Sequence, residues 1–120
     1  MIYEELTSSV IAASYEVINE LGSGFLESVY VKALMLVLTQ KGLSARTQVP
    51  LKVRFRNEIV GEFFADILVE DKLILELKAV KFLLPEHQAQ LINYLKATGI
   101  DVGLLVNFGA PKLEIRRLHS

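Results

Sequence analysis

The stretch Phe63-Phe64-Ala65-Asp66-Ile67-Leu68-Val69-Glu70-Asp71-Lys72-Leu73-Ile74-Leu75-Glu76-Leu77-Lys78-Ala79 decides the fold. Two apolar runs of strand length flank the polar trio Glu70-Asp71-Lys72, the pattern of a hairpin buried on both faces. Alternation puts Phe63, Ala65, Ile67, Val69, Leu73, Leu75, Leu77 and Ala79 on one face, which is wholly apolar. The other face carries Phe64, Asp66, Leu68, Ile74, Glu76, Lys78 and Val80, so three charged side chains interrupt a surface that otherwise looks covered. A three-residue turn at 70–72 pairs Val69 with Leu73 and sets Asp66 opposite Glu76. Carboxylates in that relation have Cβ atoms about 5 Å apart and repel, and each ion withdrawn from water costs several kcal/mol.

Something must offset that cost, and two arrangements do. Hard oxygen ligands on adjacent strands suit Mg²⁺ or Mn²⁺, which bind through one or two carboxylates together with water and phosphate. Lys78 would then project beside the ion, placed to orient water or steady a phosphoryl group. The other arrangement is a structural ion pair of Lys78 with Glu76 or Asp66. Spacing alone does not choose between them.

Outward from the hairpin, the chain reads as ααβββαββ. Leu6, Val10, Ala13, Val17 and Leu21 make one helical stripe that Gly22 stops. A second helix opens at Ser23 or Gly24 and runs to about Lys41, with Gly42 as its end. From about Thr47, Val49, Leu51, Val53 and Phe55 alternate with Pro50, Lys52, Arg54 and Arg56, a strand with one solvated face. Asn57-Glu58 turns into the second strand, Ile59–Val69, and the third is Leu73–Val80. A helix runs from Pro85 to Lys96–Thr98, stopped by Gly99. Val102–Phe108 is a buried strand and Leu113–Leu118 an edge strand. The expected class is α/β, a central mixed sheet flanked by helices, in one domain spanning 1–120, because this length leaves no room for a second core.

Composition narrows the chemistry. With 52% apolar and 22% charged residues the chain folds, and with no cysteine it holds no disulfide, thiolate metal site or cysteine nucleophile. No uncharged run approaches a membrane span, and Met1-Ile2-Tyr3-Glu4-Glu5 lacks the basic start of a secretory leader, so a soluble cytoplasmic protein without a membrane partner is expected. Net charge is −1, but residues 1–31 carry five acids and no Lys or Arg; the thirteen bases against nine acids beyond them leave +4. That excess is either solvated surface or a patch that follows phosphates.

Asp66, Glu76-Leu77-Lys78 and the helix bearing Gln90-Leu91-Ile92-Asn93-Tyr94-Leu95 resemble the PD-(D/E)XK nuclease superfamily. Gly24-Phe25-Leu26-Glu27-Ser28-Val29-Tyr30 is similar to the name-giving motif of its small bacterial GxxExxY branch, and the likeness continues through Gly103–Phe108 to Arg116-Arg117. The resemblance implies a restriction-endonuclease-like fold. It makes Asp66 and Glu76 metal ligands, Lys78 the catalytic lysine, Glu27 the first-helix acid that completes the site directly or through water, and Gln90 a supporting polar residue. Ala65 stands in place of the superfamily's proline, and Ile18 and Ser23 replace a His and a Pro of the branch, so no histidine role carries over.

The expected activity is Mg²⁺- or Mn²⁺-dependent phosphodiester hydrolysis in nucleic acid, DNA foremost. Lys52, Arg54, Arg56, Lys81, Lys96, Lys112, Arg116 and Arg117 are the candidate phosphate contacts, and two copies pairing to address two strands is the expected assembly. A non-catalytic module on the same fold, binding nucleic acid or a protein, is the alternative, and a structural subunit a third. Of the remaining polar residues, Tyr94 is expected in the core with its hydroxyl satisfied, Asn107 bonded to a nearby loop and His87 facing solvent. Glu27 and Tyr30 share a helix side, either as capping acid and core tyrosine or as site residues.

Overall fold

The computed structural model describes residues 3–120. Its elements are α1 (Glu4–Leu21), α2 (Glu27–Gln40), β1 (Ala45–Phe55), β2 (Glu58–Val69), β3 (Leu73–Lys78), α3 (Pro85–Thr98), β4 (Val102–Asn107) and β5 (Glu114–His119), the expected order. The five strands form one sheet in the order β1-β2-β3-β4-β5. Only β3 and β4 are parallel, joined by α3 as the crossover; the other neighbours are antiparallel.

Two cores sandwich this sheet. On one side Val10, Ala13 and Val17 of α1 and Tyr30, Leu34 and Leu38 of α2 pack against Ile67, Val69, Leu73, Leu75, Leu77, Leu104 and Val106. On the other, Leu91 and Leu95 of α3 cover Leu68, Ile74 and Leu105, together with Val49, Leu51 and Ala65. α3 lies so close that a Cβ on Gly103 would stand 3.0 Å from the Leu91 side chain.

The local signals work as expected at most ends. α1 stops at Gly22, whose φ of 72° favours glycine and whose N–H donates to the Ile18 carbonyl; α3 stops at Gly99 with φ 73°. α2 begins later than expected, at Glu27. The reason is Tyr30: its hydroxyl donates to the Gly22 carbonyl at 2.7 Å and accepts the Phe25 N–H at 3.2 Å, holding 22–26 as a loop. The Tyr30 ring stacks on Phe108 at 4.6 Å, so this tyrosine is core. β1 starts at Ala45, two residues early, and β3 ends at Lys78, two residues short of Val80.

The assignment of strand faces needs correction. Ile67 and Val69 do face α1 and α2, but Ala65 belongs to the core under α3, and Phe63 stacks on Tyr94 of that helix at 3.6 Å. β2 therefore turns over at Asp66. β1 turns over with it: Ala45 packs toward α1 and α2, Val49 and Leu51 toward α3, and Gln48 between them has φ 50°, an uncommon conformation for a residue with a Cβ. The register stays in step across the turn, Thr47 pairing with Ile67 and Val49 with Ala65. Beyond it β1 and β2 continue as a ribbon whose outer face is open, with Phe64 52% exposed, so β2 is buried on both faces only from Asp66 onward. No helix among the described residues is long and apolar enough to cross a membrane.

Candidate active site

The hairpin register is the expected one, Val69 with Leu73, Leu68 with Ile74 and Ile67 with Leu75. There the backbone ladder ends, because β2 turns over at the next residue, and side chains take its place. The Leu77 N–H donates to Asp66 Oδ2 at 2.8 Å, and the Asp66 N–H donates to Glu76 Oε1 at 3.4 Å. Thus each carboxylate accepts a hydrogen bond from the opposite strand, and both are fixed at the point where the strands part.

Glu76 is 7% exposed and Asp66 half-buried. Burial first, and then the Asp66 charge, push the Glu76 carboxyl up to about 8, against a weaker opposing pull from a backbone hydrogen bond of Asp66 and from Lys78. Near neutral pH the Asp66–Glu76 pair consequently holds a proton. Lys78, half-buried on the same side of β3, makes no salt bridge with any described residue, so the structural ion pair is not formed. The two carboxylates lack a full counter-charge, and that is the condition a hard divalent cation relieves.

Tyr94 packs against the core under α3 as expected, but only half-buried: it stacks on Phe63, and its hydroxyl lies within the field of both carboxylates, so that burial, then Glu76, then Asp66 raise its pKa. A tyrosine four residues after Gln90 and one turn further along the helix is the signal that pointed there. Gln90 is exposed on α3, one turn before Tyr94. Glu27 is the first residue of α2 and exposed. Among the described residues no three His, Cys, Asp or Glu side chains cluster to hold a metal, so the carboxylates brought together are the two of the hairpin. Ring contacts extend to an open groove of about 460 Å³ lined by Val53, Phe63, Asn93, Tyr94, Lys96 and Ala97.

The basic candidates fall on several surfaces. Lys52 and Arg54 are exposed on the ribbon face turned away from α3, and Arg56 lies over the Phe55 ring at the hairpin tip. Lys81 is exposed in the loop before α3. Arg116 stands in the row Glu76–Leu105–Arg116 across the sheet, beside Glu114 at 3.8 Å, whereas Arg117 takes the opposite face of β5.

The C-terminal side of the sheet fixes the segment after Lys78. Asn107 Oδ1 accepts the Val80 and Gly109 N–H groups, both at 3.0 Å, while its Nδ2 donates to the Val80 carbonyl at 2.9 Å and to Glu114 Oε1 at 2.8 Å. Glu114 Oε1 also accepts the Leu83 N–H, and the Phe108 N–H donates to the Lys78 carbonyl. Gly109 is required by contact: a Cβ there would meet the Ala79 carbonyl carbon and Val80 nitrogen at 2.4 Å. Asn107, expected to bond a nearby loop, is thus a fully used clamp. His87 accepts the Leu84 N–H at Nδ1 and caps α3. Replacing Asn107 by the similarly shaped Leu strands the Val80 and Gly109 donors, and urea unfolding is expected to show a loss of about 2–4 kcal/mol.

Comparisons with known proteins bear on the fold and the family. A solved crystal structure, that of SSO0001, superposes with a TM-score of 0.62 at 19% sequence identity over 98% of this chain, which spans 57% of that protein's length; the likeness is one of fold. No curated protein matches the chain. The family model for the PD-(D/E)XK nuclease superfamily matches residues 4–118. The match covers nearly the whole chain, and this chain belongs to the PD-(D/E)XK nuclease superfamily.

Proposed function

We propose that the chain is a metal-dependent nuclease of the GxxExxY branch, a single catalytic domain that hydrolyses phosphodiester bonds in nucleic acid, DNA foremost. The observation that carries this is the pair Asp66 and Glu76, buried together without a salt bridge to Lys78 two residues on. The donor set fits Mg²⁺ or Mn²⁺: the two hairpin carboxylates, with water and phosphate completing the shell; Glu27, exposed at the start of α2, stands outside that pair, and a role for it would need water between. When bound, such an ion polarises a phosphoryl oxygen and lowers the pKa of water.

The chain's own groups do the rest. The Leu77 N–H holds Asp66 Oδ2, which fixes the direction of that carboxylate before any ligand arrives. Glu76 would serve as a ligand in its ionised form, and its burial beside Asp66 favours the protonated form when no cation is bound. Lys78 directs its ammonium donors at a water or a phosphoryl oxygen, and negative charge that develops on phosphate oxygens is stabilised there. Tyr94, kept protonated, supplies a further O–H donor, and Gln90 supports it from the turn before. Lys52, Arg54 and Arg56 on the other face of the ribbon and at its tip offer phosphate contacts to more distant parts of a nucleic acid.

The test is cleavage of single-stranded, double-stranded and branched DNA and of RNA, with Mg²⁺, Mn²⁺ or chelator, alongside thermal melts. Cleavage that requires the metal and a Mn²⁺-dependent rise in wild-type melting temperature, absent in Asp66→Asn, are the expected results. No cleavage of any substrate and no metal shift would refute the nuclease and favour a binding module.

A further inference from the structure

The groove beside the Phe63–Tyr94 stack runs between the inner face of the ribbon and the second half of α3. Its walls are apolar, Val53 on β1 and Ala97 on α3, and its polar side chains, Asn93 and Lys96, are both exposed at the solvent side. Asn93, Tyr94, Lys96 and Ala97 occupy successive turns of one helix side, so they form one continuous edge. Tyr94 links that edge to the hairpin carboxylates, whose charge reaches its hydroxyl. No acid lines the groove.

We propose that this groove is a nucleoside subsite that takes the unpaired base of a nucleotide flanking the phosphate held at Asp66, Glu76 and Lys78, so that the substrate is single-stranded or frayed at the cut. The inference rests on the nuclease function proposed above and names its substrate class. An apolar slot edged by aromatic rings suits a base, because every base has a π-face and loses little on leaving water. Asn93 offers an amide to the base edge and Lys96 a cation to a neighbouring phosphate, both chemistries that a nucleotide presents. A volume of about 460 Å³ admits one nucleotide. A base that meets Asn93 with its edge presents there the groups that a partner strand would otherwise occupy, so it is unpaired.

Two variants outside the hairpin test this. Ala97→Phe fills the slot and Lys96→Ala removes its cation; both positions are at least partly exposed, and melting temperatures check that each variant folds. Binding of a labelled oligothymidylate is followed by anisotropy in chelator, and cleavage of the same oligomer and of a blunt duplex in Mg²⁺. Each variant is expected to weaken oligothymidylate binding about tenfold and to raise KM with kcat nearly unchanged, and the wild type to cut the oligomer faster than the duplex. Lys96→Ala also lowers the salt slope of binding by about one unit. A wild type that cuts the oligomer while both folded variants bind it unchanged overturns the subsite and leaves the nuclease standing, as does a wild type that prefers the blunt duplex. A wild type that neither binds nor cuts either polymer overturns both.

Discussion

Lys78→Ala is expected to slow metal-dependent cleavage by roughly 10²–10³-fold, the loss usual when one donor to developing charge is removed, while the variant keeps its fold. Lys78 makes no salt bridge that its removal would break, and the sheet around it is held by backbone pairing with β4. Its ammonium is the cation nearest in sequence to Glu76 and opposes the rise in that carboxyl's pKa. Lys78→Arg should recover little, since a planar guanidinium does not present the same donors from the same point. Asp66→Asn and Glu76→Gln should be still less active, because each deletes a ligand. Single-turnover kinetics over a Mg²⁺ titration and a Mn²⁺ titration separate the two classes: ligand variants gain from more metal, Lys78→Ala does not. Equal rates in the wild type and in Lys78→Ala, Asp66→Asn and Glu76→Gln would remove the hairpin from the chemistry.

The second large effect is on stability, and it needs no substrate. In the folded, metal-free protein Glu76 titrates at about 8, above its ordinary value of 4.5, because it is buried and faces Asp66. Between those values the native state holds a proton that the unfolded chain releases, so stability falls as pH rises. The stabilising contribution is complete below about pH 4.5 and lost by the time pH passes about 8. Glu76→Gln, neutral throughout, should therefore match wild type near pH 4.5 and exceed it at pH 9 by several kcal/mol. Asp66→Asn should be neutral or stabilising in chelator for the same reason, since its amide oxygen still accepts the Leu77 N–H. Differential melts of wild type and variants from pH 4.5 to 9 read the difference directly; parallel curves would show that the two carboxylates do not interact. In Mn²⁺ the order at pH 9 should invert, the wild type gaining and the variants not.

Much of the site was legible in the chain. The turn at 70–72 set the register that pairs Val69 with Leu73, and from it the facing of Asp66 and Glu76 followed by counting. What counting missed was the half-turn at Asp66 and Gln48. Phe63, Ala65, Ile67 and Val69 all have odd numbers and all are apolar, and period-2 alternation looks the same whether the ribbon keeps its face or exchanges one core for the other. The signal that matters is a positive φ at a glutamine, which no propensity announces. Tyr94 reads as core, which it is in part; its stack on Phe63 and its exposure to the charge of Glu76 and Asp66 depend on where β2 turns over, which the helix pattern does not carry. The late start of α2 depends on the Tyr30 hydroxyl capturing Gly22 and Phe25, a tertiary contact.

The clamp made by Asn107, Gly109 and Glu114 bears on when during synthesis the site comes into being. Every side chain proposed for catalysis lies at or before Tyr94, yet the segment that follows Lys78 is tied down by groups on β4 and β5, up to 36 positions further along from Lys78 to Glu114. A ribosome-bound chain that has released β2 and β3 has Asp66 and Glu76 but not the anchors for Val80 and Leu83, which arrive only with Asn107 and Glu114. The clamp on this segment therefore closes only after β5, the strand at the edge of the sheet, has been delivered.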